Sequence, residues 1–112
     1  MNPTRTPGRE QDSRTHAVDE VDPAEALARQ RNGALMIDVR EDSERAVGMP
    51  LDAVGLARGL IEEHMADLAP DRQREILTLC GSGRRSMLAA ATLRELGYAR
   101  VASVRGGFAA WK

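Results

Sequence analysis

The sequence predicts an α/β fold with a central parallel sheet and helices on both of its faces, and three observations lead to this prediction. Segments typical of strands alternate with segments typical of helices, the order that parallel strands joined by crossover helices require. The apolar run Ala34-Leu35-Met36-Ile37 is continuous, as in strands buried on both faces. With 112 residues, the chain has the size of one domain and is too short to build two separate cores.

The domain is predicted to occupy residues 16–112. Residues 1–15 are polar, contain Pro3, Pro7 and Gly8 and offer almost nothing to bury, so we predict that they form a disordered N-terminal leader. The leader also lacks the apolar segment of a secretory signal. We therefore expect a cytoplasmic protein.

Local signals place the elements in order. Asp22 can cap a helix and Pro23 fits its first turn, where no amide donor is needed, while Pro70 and Gly97 are helix stops. The predicted strands are a weakly marked one at His16–Val21, Ala34–Ile37, a brief one at Ala53–Val54, Glu75–Leu79 and Val101–Val104. The predicted helical segments are a helix from Pro23 to Gln30 or Arg31, a short turn at Ser43–Val47, Gly59–Leu68 and Ser86–Leu96.

The composition excludes several classes of function. The net charge is −1, from 16 basic and 17 acidic residues, so neither nucleic acid nor a membrane surface is expected as a partner. No apolar run approaches the ~20 residues that span a bilayer. A single cysteine forms neither an internal disulfide nor a multi-cysteine zinc site. Lys112 is the only lysine, and the excess of arginine reflects either genome composition or recognition of anions.

Four features coincide at Cys80. The thiol stands where a buried strand meets a helix, at the carboxyl edge of the predicted sheet, where such folds place their working sites. Gly81 and Gly83 let the backbone turn sharply with its amides facing inward. The following helix directs its positive dipole end and its unpaired first amides at the loop. Arg84 and Arg85 add two positive charges.

Together these features favour the thiolate of Cys80. A cysteine in such a setting has its pKa lowered from ~8.5 to roughly 3.5–7.5. It is then a nucleophile at neutral pH, and the same loop would hold an anionic substrate or intermediate. One competing interpretation is a small buried hydrophobe. A nucleotide-binding loop is disfavoured, because Ser86 stands where the dinucleotide pattern needs its third glycine and the lysine of a P-loop is absent.

Loop length distinguishes between kinds of anion-binding loop. Four residues separate Cys80 from Arg85, fewer than a cysteine phosphatase uses to encircle a tetrahedral phosphate. Ser86 also stands where a phosphatase would need arginine. The smaller ring suits one extra sulfur atom on the cysteine better than a phosphoryl group.

Several motifs, in this order and spacing, resemble the rhodanese homology domain over about Val18–Lys112. They are Ile37-Asp38-Val39-Arg40-Glu41, Cys80-Gly81-Ser82-Gly83-Arg84-Arg85-Ser86, Leu96-Gly97-Tyr98, Val101 and Gly106-Gly107-Phe108-Ala109-Ala110-Trp111. The resemblance implies a rhodanese-like three-layer fold with about five parallel strands. One departure is Met49, where the family usually carries a histidine.

The resemblance also implies sulfurtransferase chemistry without a metal or organic cofactor. Cys80 would be the catalytic nucleophile that takes the outer sulfur of a small anionic donor such as thiosulfate. The resulting persulfide would pass that sulfur to cyanide, to a thiol or to an acceptor protein. The substrate-binding residues that the resemblance implies are Gly81, Ser82, Gly83, Arg84, Arg85 and Ser86.

Asp38 and Arg40 match the family's Asp-x-Arg and are expected to support the site structurally, with Arg40 paired with Glu44 or another nearby acid. Ser86 is expected to cap the following helix as well as to donate a hydrogen bond within the loop. Two other functions stay open. One is a sulfur carrier or protein-interaction module with little activity on thiosulfate, and the other is an arsenate reductase, which the short loop disfavours.

Overall fold

The structure is a computed structural model, and it describes residues 18–111. The predicted leader, residues 1–15, lies outside the described residues. Within the part of the chain that is described, no helix is both long enough and apolar enough to cross a membrane.

Strands and helices alternate along the described residues. The elements are β1 Asp19–Val21, α1 Pro23–Arg31, β2 Leu35–Asp38, α2 Asp42–Arg45, β3 Val54–Gly55, α3 Ile61–Leu68, β4 Ile76–Leu79, α4 Arg84–Glu95, β5 Val101–Val104 and α5 Gly107–Trp111. All four strand pairings are parallel, in the order β1-β5-β4-β2-β3. The predicted α/β fold with a five-stranded parallel sheet is therefore confirmed.

Some helix boundaries follow the local signals and others differ: α2 spans Asp42–Arg45 and not Ser43–Val47, and α3 begins at Ile61 and not at Gly59, after a 3-10 turn at Arg58–Leu60. Asp22 caps α1 as predicted, because its Oδ1 accepts a hydrogen bond from the Glu25 amide at 2.9 Å. The predicted start of α4 at Ser86 is wrong, since this helix begins at Arg84. Its N-cap is Gly83, whose φ of 112° is a backbone conformation that favours glycine. The prediction that Ser86 caps α4 is wrong for the same reason, because Ser86 lies inside the first turn.

Two apolar clusters pack against the sheet, since successive strand residues point to opposite faces. The first joins α3 and α4 to the sheet and contains Ile37, Val39, Ile61, Met65, Ala69, Ile76, Cys80, Ala89, Ala90, Leu93, Tyr98 and Val101. The second joins α1 and α5 to the sheet and contains Val21, Ala26, Ala34, Met36, Leu77, Leu79, Ala102 and Val104, with Phe108 and Trp111 against it. The fold therefore has three layers, and β4 lies in the middle strand position of the central one.

Candidate active site

Cys80 follows β4 directly, at the carboxyl end of a strand that is paired on both sides. The residue is only 1% exposed and belongs to the apolar cluster under α4. Its sulfur nevertheless has polar neighbours, because the Gly83 amide donates a hydrogen bond to Sγ at 3.0 Å. The thiol therefore lies at the base of a polar loop and at the edge of the apolar core.

The Gly106-Gly107 turn and the start of α5 support the loop from behind. The amides of Phe108 and Ala109 donate hydrogen bonds to the carbonyl oxygens of Cys80 at 2.6 Å and of Gly81 at 3.1 Å. A Cβ atom on Gly107 would collide with the Cys80 carbonyl oxygen and lie 2.7 Å from the Gly81 carbonyl carbon. These contacts hold the loop carbonyls on the α5 side and leave the Gly83 amide directed at the sulfur.

Buried hydroxyl groups lie on the α4 side of the sulfur. The Ser86 Oγ is 3.5 Å from Cys80 Sγ, 3.1 Å from the Gly83 carbonyl oxygen and 2.7 Å from the Ser103 Oγ. The Thr78 hydroxyl donates to the Ser86 carbonyl oxygen at 2.8 Å. All three hydroxyl-bearing residues are fully buried, so their hydrogen bonds are not weakened by competition with water.

Two opposing effects act on the ionisation of Cys80. Burial raises the pKa of the thiol and is the largest single effect. Hydrogen bonds from the Ser86 hydroxyl and from the amides of Ser86, Gly83 and Ser82 act the other way, and together they hold the pKa below its ordinary value. This is the direction that the loop sequence predicts, and it comes mainly from neutral dipoles.

Arg85 forms an ion pair with Glu44. Its guanidinium donates to both carboxylate oxygens of Glu44, at 2.6 and 2.9 Å, and each side chain is 37% exposed. Glu44 also accepts a hydrogen bond from the Glu41 amide at 2.9 Å. The Arg85 hydrogen bonds, followed by that amide, lower the pKa of Glu44 from 4.5 to about 2. At neutral pH the charge of Arg85 is therefore balanced by a carboxylate.

Arg40 forms its ion pair with Asp38 and not with Glu44. The sequence predicted Glu44 or another nearby acid as the partner, and the structure has the second of these. The Arg40 Nε and Nη2 lie 3.0 and 2.7 Å from the Asp38 carboxylate oxygens, and both side chains are buried. Residues two apart in extended chain project to the same side, which brings them together. Nη2 also donates to the Gly48 carbonyl oxygen at 2.6 Å, and the guanidinium lies 4.3 Å from the Phe108 ring centroid.

The structure brings together all the loop residues that the sequence singled out, in two different environments. Gly83 and Ser86 are buried beside the sulfur, whereas Ser82 and Arg84 are exposed on the outer side of the loop. Asp38 and Arg40 lie behind the loop, where the Arg40 guanidinium contacts the Phe108 ring and interacts electrostatically with Glu44 and Arg85.

Sequence reasoning missed two residues of this site. Glu44 was considered as a partner of Arg40 and not of Arg85, and Ser103 was not considered. Ser103 had a signal, because it is the polar residue of the otherwise apolar strand Val101–Val104. Thr78 interrupts β4 in the same way, and the two residues are paired across the sheet.

A separate concavity of about 590 Å³ lies away from the Cys80 loop. It is lined by α1, by the segment before β4 and by Trp111 of α5, and none of its lining residues belongs to the loop. Between residues 18 and 111, no group of three or more His, Cys, Asp or Glu side chains is arranged to hold a metal ion.

Cys80 lies at the carboxyl end of a central parallel strand, and the Gly83 amide at the start of α4 donates to its sulfur. These features define a class of α/β proteins with a cysteine in the loop between a strand and a helix. A family model described as the rhodanese-like domain matches residues 22–112. The chain belongs to this family.

Relatives with sulfurtransferase names agree with this assignment. A sulfurtransferase of Allochromatium vinosum is 38% identical over 97 residues, which cover 84% of this chain and 88% of that protein. The thiosulfate sulfurtransferase GlpE of Pseudomonas entomophila is 30% identical over 92 residues, covering 82% of this chain and 83% of that protein. The similarity supports a sulfurtransferase activity for this chain.

A solved structure shows the same architecture. The reduced CoADR-RHD protein of Bacillus anthracis superposes with a TM-score of 0.75 at 31% identity. The match covers 84% of this chain but 16% of that longer protein, so the likeness is between this chain and one part of it.

Proposed function

We propose that the protein transfers a sulfane sulfur from a small anionic donor such as thiosulfate to a thiol acceptor, through a persulfide on Cys80. The Cys80 thiolate attacks the outer sulfur of the donor. The sulfur–sulfur bond of thiosulfate breaks, sulfite leaves with the electron pair, and the outer sulfur stays on Cys80. An acceptor thiolate or cyanide then attacks that sulfur, and Cys80 leaves as a thiolate.

The observation that carries the proposal is the 3.0 Å hydrogen bond from the Gly83 amide to Cys80 Sγ, at the opening of α4. Donors placed around a sulfur stabilise an anion there, whether it is the thiolate or the terminal sulfur of a persulfide. The small ring of four residues between Cys80 and Arg85 suits one added sulfur atom better than a phosphoryl group. The names of the relatives support the same chemistry.

The burial of Cys80 is compatible with both half-reactions. A sulfur–sulfur bond is about 2.05 Å long, so in this proposal the persulfide carries the reactive atom about 2 Å beyond the buried Sγ, and Ser82 and Arg84 of the same loop are exposed. In this proposal the amides of Gly81 to Ser86 hold the charged sulfur. Arg84 and Arg85 attract the donor, and Asp38 and Arg40 support the site from behind.

One observation favours the sulfur-carrier alternative. Because Glu44 balances the charge of Arg85, the exposed side of the loop attracts a small dianion less strongly than the sequence predicts. A protein donor that delivers sulfur by contact would not need that attraction. The two functions differ in which donors load Cys80.

Intact-mass measurement after incubation with thiosulfate tests the proposal. We expect a gain of about 32 Da, one sulfur atom, that cyanide removes and that Cys80→Ser does not show. Arg85→Ala should slow loading more than Arg94→Ala, which removes the same charge from an exposed position further along α4. Loading by an organic persulfide but not by thiosulfate would favour the carrier function. No gain with any sulfane donor would refute both.

A further inference from the structure

Ser103 lies directly behind the serine that contacts the reactive sulfur. It is fully buried on β5, and its Oγ lies 2.7 Å from the Ser86 Oγ. Ser86 in turn lies 3.5 Å from Cys80 Sγ. Ser103 therefore does not touch the sulfur, and any influence it has on the sulfur passes through the Ser86 hydroxyl.

Counting hydrogens assigns a direction to these contacts when Cys80 is a thiol. A hydroxyl group has one hydrogen to donate and two lone pairs that accept. The Gly83 carbonyl oxygen can only accept, so it takes the Ser86 hydrogen at 3.1 Å. The Ser86 oxygen then accepts from the Cys80 thiol and from the Ser103 hydroxyl, and every group in the cluster is satisfied.

Ionisation of Cys80 changes this pattern. The thiolate has no hydrogen, so Sγ, which already accepts from the Gly83 amide, becomes an acceptor toward Ser86 as well and competes with the Gly83 carbonyl oxygen for the single Ser86 hydrogen. That hydrogen can turn to the sulfur only if it is not committed to Ser103. A Ser103 hydroxyl that donates to Ser86 meets this condition in both states, and it also polarises the Ser86 hydroxyl into a stronger donor.

We propose that Ser103 is a positioning residue that donates to Ser86 and thereby directs the one Ser86 hydrogen to the Cys80 sulfur when the thiol ionises. The proposal rests on the proposed function only in taking the thiolate as the reactive form. It concerns the ionisation of Cys80, which is measurable whether or not sulfur is transferred.

The charged groups around the loop keep their charge while Cys80 titrates, so the ionisation of Cys80 can be measured directly. Arg85 faces the sulfur from α4 and is paired with Glu44, whose pKa of about 2 keeps it charged across the range of interest. Behind the loop, Arg40 is paired with Asp38, and arginine keeps its charge in proteins. Because Cys80 is the only cysteine of the chain, thiolate absorbance at 240 nm reports this residue alone after subtraction of a Cys80→Ser blank.

The test is a titration of Cys80 in Ser103→Ala. We expect the apparent pKa to rise, so that the thiolate fraction on the acid side of the transition falls about threefold, the size of effect that one modest hydrogen bond produces. Ser103→Thr keeps the hydroxyl and should keep the wild-type titration. An unchanged pKa in Ser103→Ala would overturn the proposal. A lowered pKa would also overturn it, because it would mean that Ser103 accepts the Ser86 hydrogen and withholds it from the sulfur.

Two further variants separate positioning from a general effect of a lost buried hydroxyl. Thr78→Val removes an equally buried hydroxyl that is bonded to the Ser86 carbonyl oxygen, so it should lower stability without moving the Cys80 titration. In a Ser86→Ala background, Ser103→Ala should have no further effect on the pKa, because the route to the sulfur is gone. A shift that persists in that background would refute action through Ser86.

The outcome is independent of the proposed function. If the wild-type protein takes up no sulfur but the titrations shift as expected, the role of Ser103 stands and the sulfurtransferase proposal fails. If sulfur is taken up and the titrations of wild type and Ser103→Ala coincide, the role of Ser103 fails alone.

Discussion

The two sides of the Cys80 loop have different chemistry. The buried side consists of the Gly107 turn, Phe108 and the Ser86–Ser103 hydroxyl pair, and it carries no formal charge at the sulfur. The open side consists of Ser82, Arg84 and the Arg85–Glu44 pair. On this side the arginine and glutamate side chains carry full charges, and the paired Arg85 and Glu44 are partly exposed to water.

This difference indicates which groups stabilise the thiolate form of Cys80. A neutral donor such as the Gly83 amide, 3.0 Å from a buried sulfur, is little weakened by water, whereas a partly exposed guanidinium that is already paired with a carboxylate is screened. The buried side therefore sets the ionisation of Cys80. The open side acts on what approaches the loop, and three predictions test this division.

The largest expected effect comes from Gly107→Ala on the buried side. Its φ of 60° is in the left-handed region, and the added Cβ would collide with the Cys80 carbonyl oxygen. Left-handed strain of about 1–2 kcal/mol and the loss of two hydrogen bonds worth about 1 kcal/mol each give a loss of about 3–4 kcal/mol in unfolding free energy. Urea unfolding measures this loss, and persulfide formation should become undetectable.

Gly33→Ala is the matched control for that variant. Gly33 also has a positive φ, 108°, but nothing lies within 4 Å of an added Cβ. Because the φ of Gly33 lies further than that of Gly107 from the left-handed minimum at about 57°, the control should lose about 1–3 kcal/mol through backbone strain and keep its reactivity with thiosulfate. Equal losses in the two variants would mean that backbone strain alone matters at Gly107 and that contact with the Cys80 loop does not.

Arg40→Met is expected to have the next largest effect, on stability and not on chemistry. It leaves the fully buried Asp38 carboxylate without its partner, which costs about 3 kcal/mol of unfolding free energy. The folded protein should still form the persulfide at a rate within a few-fold of wild type, because Arg40 contacts Asp38, the Gly48 carbonyl oxygen and the Phe108 ring, behind the loop. Unfolding and loading rates are measured on the same preparation.

An exposed arginine in a similar setting provides the control. Arg72 also lies over an aromatic ring, 4.7 Å from the centroid of Tyr98, but no buried carboxylate depends on it. Arg72→Met should cost about 1 kcal/mol or less. If Arg40→Met kept its stability and lost its reactivity, Arg40 would act with the groups of the open side. The two sides of the loop would then not differ in function as proposed.

The sequence predicted those parts of the molecule that depend on neighbours along the chain. The cap at Asp22 and the apolar strand Val101–Val104 are local signals, and the structure has both. The sequence prediction put the start of α4 two residues too late, because the residue types alone do not show that Gly83 takes a positive φ and caps the helix. The loop itself was found because its glycines, its thiol and its arginines are contiguous.

Partners distant in the sequence were harder to predict. Arg85 and Glu44 are 41 residues apart, and Ser86 and Ser103 are 17 apart. A long arginine side chain can reach several acids, so its partner is decided by packing and not by spacing. The pairing of Thr78 with Ser103 across the sheet likewise requires the strand register, which the sequence does not contain.

The smallest expected effect belongs to Glu44→Gln on the open side. Glutamine keeps the shape of the side chain but leaves the Arg85 charge uncompensated, so a dianionic donor is attracted more strongly. A unit charge about 6 Å from a dianion contributes about 1.4 kcal/mol in water without salt, and screening at about 0.15 M salt roughly halves this, which leaves a factor of about three in affinity. We expect KM for thiosulfate to fall by that factor, with a steeper dependence on salt and no change in the Cys80 titration. Glu95→Gln, at the far end of α4 and about 16 Å further along its axis, should leave KM unchanged.

The same variant should change stability only in acid. Because the pKa of Glu44 is lowered from 4.5 to about 2 in the folded protein, the ionised pair stabilises the fold fully above pH 4.5 and loses its contribution as the pH falls toward 2. The pair is partly exposed, so the difference between wild type and Glu44→Gln at pH 7 should be below about 1 kcal/mol, and it should vanish near pH 2. A difference of several kcal/mol at pH 7, or a raised KM, would place Glu44 and Arg85 among the groups that hold the loop together and would remove the distinction between its two sides.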